Sequence, residues 1–354
     1  MRATIGTLAQ TPIVTGEDYG RVTPSNESSR HSSEILPARV NPGLTNRALR
    51  RTKAALLETS MTVTAADLVA LLDIEPVGTD QFVGRSPRNG WARVFGGQVI
   101  AQALVAASRT VETREPHSLH GYFMLAGDPA EPILFEVERI RDGRSFTTRR
   151  VTARQRDKAI FELSASFHVA EEGVEHQMPA PPAPAPESLP DPAAAAALLG
   201  EKMQKRLQSL LDRIQPIEFR PLDPARYAPL APGQVREPRQ SLWIRIGGAL
   251  PDDPAIHRAA LAYLSDMTLL DTALVTHGHT VSDGHFQVAS LDHALWFHRP
   301  CRADDWLLYV QDSPNASGAR GLTRGLVYTR TGALVASVAQ EGLMRLARRE
   351  ASPE

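Results

Sequence analysis

The residues able to do chemistry in this chain are a few polar groups set among apolar ones. The run Ala289-Ser-Leu-Asp-His-Ala-Leu-Trp-Phe-His-Arg-Pro300 reads as a strand interrupted by a hydroxyl, a carboxylate and two imidazoles. Upstream, Ile256 to Val275 has helical spacing. On a 100° wheel, Asp266 falls in the middle of a face made by Ala259, Ala262, Tyr263, Leu269, Leu270 and Ala273. A carboxylate there needs partners or a raised pKa, and either suits a general base. The plain alternative is a structural Asp bonded to a buried backbone group. Downstream, period-two alternation over Leu334–Met344 puts Gln340 alone among Leu334, Ala336, Val338, Gly342 and Met344. In the opening run the same alternation groups Ser290 with Val288, Asp292, Ala294 and Trp296 and turns His293 the other way. A Ser290–His293 nucleophile and base pair is therefore geometrically poor.

Other chemistries find little support. No Gly-x-Ser-x-Gly elbow, His-Glu-x-x-His pair, Gly-x-x-x-x-Gly-Lys loop or Gly-x-Gly-x-x-Gly turn occurs. His277-Gly-His279 and His285 sit in a loop without the spacing of a zinc site, so no metal or cofactor is expected. What remains is an acid, a hydroxyl and an amide from three different elements. Such a set can hold a water for direct attack on an ester or thioester carbonyl. A thiol leaves readily, so a thioester requires no strong general acid.

The elements that must position these groups follow from the rest of the pattern. With 354 residues, 42% hydrophobic and 22% charged, the chain has material for two cores. A net charge of −1 gives no electrostatic footprint for nucleic acid. The single cysteine, Cys301, reads as a small hydrophobe and suits a reducing compartment. No run reaches the ~20 apolar residues of a membrane span, and no secretory leader is legible, so a cytoplasmic protein without membrane insertion is expected. Residues 1–60, poor in large apolar side chains, are expected to be a disordered extension.

A capped helix opens at Thr64, and a second, apolar nearly all round, runs from Gln98 to Thr110 after Val94-Phe-Gly-Gly97. Strands follow at 117–124, 132–140, 145–154 and 159–169. The second half repeats the order: helix 256–275, then strands at 288–297, 306–312, 321–329 and 334–344. Matching pieces keep a steady offset, 172 for Ser118 against Ser290, 175 for Thr148 against Thr323 and 174 for Ile160 against Leu334. Two copies of one α+β module are implied, each a long helix wrapped by an antiparallel sheet. The first spans 61–172 and the second 239–347, joined over 173–238 by a Pro- and Ala-rich surface linker with a helix of its own. Between Phe95 and Val111 the first helix carries no Asp or Glu, so one active site per chain is expected.

Val94-Phe-Gly-Gly-Gln-Val99, Arg141-Asp-Gly-Arg-Ser-Phe-Thr-Thr-Arg-Arg150, Leu295-Trp-Phe-His-Arg-Pro300, Asp305-Trp-Leu-Leu308 and Gln340-Glu-Gly-Leu-Met-Arg345 resemble the type II acyl-CoA thioesterases. The similarity runs from about Leu68 to Arg345. It implies a double hotdog fold, hydrolysis of acyl-CoA to CoA and fatty acid, and a homodimer or homotetramer. It also implies a catalytic trio that falls on Asp266, Ser290 and Gln340. Position 290 is Thr in the family pattern; Ser keeps the hydroxyl and loses the β-branch that stiffens χ1. Gly96 and Gly97 are candidates for close backbone approach to the substrate, and His120 is a candidate neighbour of the thioester. Two other functions compete: a hotdog enoyl-CoA hydratase or dehydratase using Asp292 and His293, and a non-catalytic acyl-CoA-binding module in which Asp266 is structural.

Overall fold

The computed structural model describes residues 64–347 apart from 88, 198–200, 229, 232, 282 and 283; the extension expected over 1–60 lies outside them. Helix α1 (Ala65–Leu72) opens on a capping box, Thr64 Oγ1 accepting from the Asp67 N–H while the Asp67 carboxylate accepts from the Thr64 N–H. Helix α2 (Gly96–Ser108) is buried along nearly its whole length, as its small and apolar residues require. Around it lie β1 (Glu75–Gly78), β2 (Gln81–Gly84), β3 (Glu115–Phe123), β4 (Ile133–Asp142), β5 (Phe146–Gln155) and β6 (Lys158–His168).

The second half holds α3 (Pro192–Ala197), α4 (Glu201–Ile214), β7 (Ile217–Pro221), β8 (Arg239–Ile246), α5 (Pro254–Ser265) and α6 (Asp271–Val275). It ends with β9 (Phe286–Ser290), β10 (Asp292–Phe297), β11 (Leu307–Ser317), β12 (Arg320–Thr329) and β13 (Leu334–Leu346). All the strands of the described residues join one antiparallel sheet. Its order is β1-β2-β4-β5-β6-β3-β10-β13-β12-β11-β8-β7, with β9 also on β13. The sets β2-β4-β5-β6-β3 and β10-β13-β12-β11-β8 mirror each other about the β3–β10 junction. This is the two-module arrangement that the resemblance implies. Counting from the hairpin pairs Arg154↔Ala159 and Tyr328↔Leu334, Thr323 answers to Arg149 rather than to Thr148, and Gln340 to Ala165.

The two central helices lie side by side within one apolar core formed by the inner faces of both sets of strands. A Leu or Phe fully sheltered in such a core contributes about 1.5–3 kcal/mol. The start of α2 touches the end of α5, so the helices run antiparallel. Their close approach depends on Gly97: a Cβ there would stand 2.4 Å from the Tyr263 carbonyl oxygen.

Three features depart from the sequence pattern. The expected helix over 256–275 is two helices, interrupted at Asp266–Leu270, where Thr268 takes a left-handed φ of 62°. Nothing in Met267-Thr-Leu-Leu270 is a breaker by type, so the interruption leaves no mark in the sequence. The expected strand over 288–297 is likewise broken. Ser290 pairs with Gly342 but Ala294 pairs with Ala339, a one-residue slip that makes a bulge around Leu291. The slip reverses the alternation, so Ser290 and His293 face the same, helix-side surface, contrary to the period-two expectation. The connecting segment is also more than a surface linker, since β7 extends the sheet along β8.

Candidate active site

Asp266 follows directly on the last turn of α5, where the helix stops and the side chain is free to turn toward α2. Its carboxylate is held by two neutral donors. The Gly97 N–H, in the first turn of α2, reaches Oδ2 at 2.8 Å, and Gln340 Nε2, from β13, reaches Oδ1 at 2.6 Å. Burial raises the Asp266 pKa above the ordinary carboxylate value, and the two hydrogen bonds pull it partly back. No cation takes part in these bonds, so the group stays a weak acid with a basic conjugate. Gln340, isolated by alternation as the one polar residue on its face, is fully buried behind the carboxylate.

Asp266 and Ser290 line the same cavity, of about 500 Å³, together with Phe95, Gly96, Phe123, Leu270 and Val288. Three elements deliver these groups: the end of α5, the first turn of α2 and the end of β9. Gly96 and Gly97 divide the role expected of them. Gly96 is in the cavity wall, where a Cβ would lie 2.7 Å from Asp266 Oδ2 and 3.0 Å from the Phe123 ring. Gly97 instead gives its N–H to the carboxylate.

His120 does not join the site. Leu119 faces the core, so His120 points to the opposite side of β3, exposed, with its ring edge-on to Trp296 at 5.0 Å. Asp292 and His293 diverge. Asp292 Oδ1 accepts from the Glu341 N–H at 2.6 Å, while His293 Nε2 meets Ser265 Oγ at 2.9 Å inside the core. No hydratase pair is assembled from them. Cys301 is equally quiet, burial pushing its thiol up to about 12.

Arg93 and Arg213 line the cavity as well, without a signal in the sequence that could have found them. Arg93 Nη2 donates to the Val288 carbonyl at 3.1 Å, and Arg213 comes from α4, in the connecting segment. Among the described residues no helix is long and apolar enough to cross a membrane.

Comparison with known proteins supplies the context for this geometry. The family model for acyl-CoA thioesterase matches residues 211–343, and that for the acyl-CoA thioesterase N-terminal domain matches 85–168. Acyl-coenzyme A thioesterase 8 of Homo sapiens is 43% identical over 290 residues, covering 79% of this chain and 89% of its own. Acyl-CoA thioesterase 2 of Haemophilus influenzae is 37% identical over 281 residues, covering 79% and 97%. Among solved structures, an acyl-CoA thioesterase II, TesB2, from Mycobacterium marinum superposes with a TM-score of 0.65 at 44% identity, over 79% of this chain and 98% of that one. A hot dog fold protein from Alicyclobacillus acidocaldarius, at 20% identity and a TM-score of 0.63 over 79% and 98%, speaks for the fold alone. The helix-in-sheet pair described above is a double hotdog.

Proposed function

Because the chain belongs to the type II acyl-CoA thioesterase family and is a thioester hydrolase of acyl-CoA, we propose that it works by direct attack of a water activated by Asp266 and oriented by Ser290 and Gln340. Asp266 takes a proton from the water as its oxygen bonds to the thioester carbonyl carbon. The carbonyl π electrons move to oxygen, then return as the C–S bond breaks. The CoA thiolate leaves with the electron pair and recovers the proton from the Asp266 carboxyl, so the products are a fatty acid and CoA. No covalent enzyme intermediate forms.

The observation that carries this reading is a half-buried carboxylate in a cavity wall with only neutral donors on it. A carboxylate paired with a cation would be too weak a base. Burial without donors would hold its pKa higher still and leave less of it as the base. Gln340 orients the carboxylate and, through it, the water; the Ser290 hydroxyl offers the water a second hydrogen bond across the cavity. The first turn of α2 leaves N–H groups without intrahelical partners, and Gly96 brings that turn into the wall, where it would favour the developing oxyanion. The same reading includes a cytoplasmic homodimer or homotetramer, which light scattering on the purified protein would size.

Release of thiol from palmitoyl-CoA and shorter saturated esters tests the proposal. Asp266→Asn should lower turnover by about 10²–10⁴-fold, the range for loss of a general base. Equal rates in variant and parent would remove Asp266 from the mechanism. Tight binding without release at any chain length would favour the binding module.

A further inference from the structure

Among the described residues that line the cavity of Asp266, the charged ones are Asp266 itself, Arg93 and Arg213. The carboxylate is bonded to Gly97 and Gln340, so neither arginine neutralises it. Both arginines are exposed, and among the described residues neither is paired with a carboxylate. Each is nevertheless fixed in place. Arg93 Nη2 donates to the carbonyl of Val288, two residues before Ser290, and leaves other N–H groups of its guanidinium free. Arg213 stands in the last turn of α4, and the buried amide of Asn89 donates to its carbonyl at 3.0 Å. That bond ties the end of α4 to the segment that leads into Arg93 and Gly96. A cation in the last turn of a helix is ordinary by itself. Arg213 differs because packing carries it from the connecting segment to the rim of a largely apolar cavity.

We propose that Arg213 and Arg93 bind the phosphate groups of CoA at the mouth of this cavity, with Arg213 the stronger contributor because its guanidinium has no other partner among the described residues. The inference rests on the reading of this cavity as the site of hydrolysis. A thioester carbonyl beside Asp266 divides acyl-CoA into a neutral chain and a polyanion. The buried side chains of Ile160 and Phe161, with Phe123 and Leu270, offer the acyl chain an apolar wall. The exposed side offers the polyanion two cations, and guanidinium–phosphate contacts are among the stronger charge-assisted hydrogen bonds. The whole chain carries a net charge of −1, so its attraction for CoA has to be local. The connecting segment thereby takes part in distinguishing CoA esters from thioesters that lack the phosphates.

KM and kcat are measured on octanoyl-CoA and on octanoyl-pantetheine, which keeps the thioester and lacks the phosphates. Arg213→Ala should raise KM for octanoyl-CoA by about 5–20-fold, the scale of a partly screened hydrogen bond to a charged group, and shift KM for octanoyl-pantetheine by less than about twofold. Arg93→Ala should raise KM for octanoyl-CoA by less. Arg213→Lys should stay within about threefold of the parent, since a point charge still meets a phosphate. Equal shifts on both esters after Arg213→Ala, or none on octanoyl-CoA, would overturn the proposal. Where octanoyl-pantetheine turns over too slowly to compare, binding of adenosine 3′,5′-bisphosphate followed by calorimetry decides. Binding to Arg213→Ala weakened about fivefold or more supports the role, and any smaller change ends it. Asp266→Asn is the separate control: if it hydrolyses octanoyl-CoA as the parent does, the base assignment fails, while the contrast at Arg213 stands or falls by itself.

Discussion

Where α2 begins and α5 ends, the cavity of about 500 Å³ holds Asp266 and Ser290; where α5 begins and α2 ends, a second cavity of about 660 Å³ holds Arg109, Glu112, Glu115 and Arg258. The mirrored order of strands makes these two clefts counterparts, so their difference is one of side chains. The residue that follows α5 is Asp266, met by a backbone N–H and an amide. The residue that follows α2 is Arg109, which bonds the Asp73 carboxylate at 2.5 Å and the Ile74 carbonyl. Arg258 pairs with Glu115 in the same cleft. The strands repeat the contrast. Arg149, the counterpart of Thr323, is buried and donates to Thr110, Arg141 and the Asp142 carboxylate, which its guanidinium holds below the ordinary carboxylate range. Ala165 stands where the second module has Gln340. A buried charge surrounded by counter-charges is a structural group, whereas one surrounded by neutral donors keeps its basicity.

Gln340→Ala tests whether the neutral donors set that basicity, and among the changes around the carboxylate the largest effect is expected here. The base acts when deprotonated, so kcat should rise with pH along a limb displaced above the ordinary carboxylate pKa. Removing the amide takes away a bond to the charged form. The limb should therefore move to higher pH, and kcat on the plateau should fall by about 10–10²-fold, as for a hydrogen bond to a charged group. A limb that stays in place or moves down would mean that burial alone fixes the pKa.

Two glycines separate positioning from packing. Gly97→Ala would drive a Cβ to 2.4 Å from the Tyr263 oxygen, against backbone that cannot yield without parting α2 from α5. A loss of about 1–3 kcal/mol in denaturant unfolding is expected, together with reduced turnover as the N–H leaves Asp266. Gly96→Ala faces Asp266 Oδ2 and the Phe123 ring at the cavity wall, so turnover should fall by more than stability does. If stability dropped equally in both, Gly96 would belong to the helix contact and not to the cavity.

Much of this site is legible in the chain because a polar residue alone on an apolar face stands out at any resolution of the pattern. Asp266 and Gln340 are such residues, and Ser290 is the hydroxyl that interrupts an apolar strand, a position the family resemblance also picks out. His120, expected beside the thioester, is a miss that alternation could have prevented, since an inward Leu119 forces its neighbour outward. What alternation cannot carry is an extra residue: the slip at Leu291 reverses every face after it, and so His293 reads as pointing away from Ser290 when it shares its side. The pause after α5 is hidden for a related reason. The wheel puts Asp266 on the buried side correctly but as one more helical residue, whereas the helix ends there and frees it to reach α2. Arg213 is out of reach of any local pattern, because only tertiary packing carries α4 to the cavity.

The smallest effect is expected in the counterpart cleft, and it bears on the number of active sites per chain. Glu112 is an exposed carboxylate in that cavity. Its neighbours at the end of α2 are the residues that would have to become donors for a second base. They are instead committed: Arg109 to Asp73 and Ile74, and the Ser108 hydroxyl to the Leu104 carbonyl at 2.8 Å. Across the β5–β6 hairpin, Ala165 offers no amide. Glu112→Gln should therefore leave kcat and KM on every acyl-CoA tested within about twofold of the parent, a surface change of no more than ~0.5 kcal/mol. A fall of tenfold or more, comparable with Gln340→Ala, would show that both ends of the helix pair take part in turnover. The distinction between charges held by counter-charges and a carboxylate held by neutral donors would then no longer set the two clefts apart.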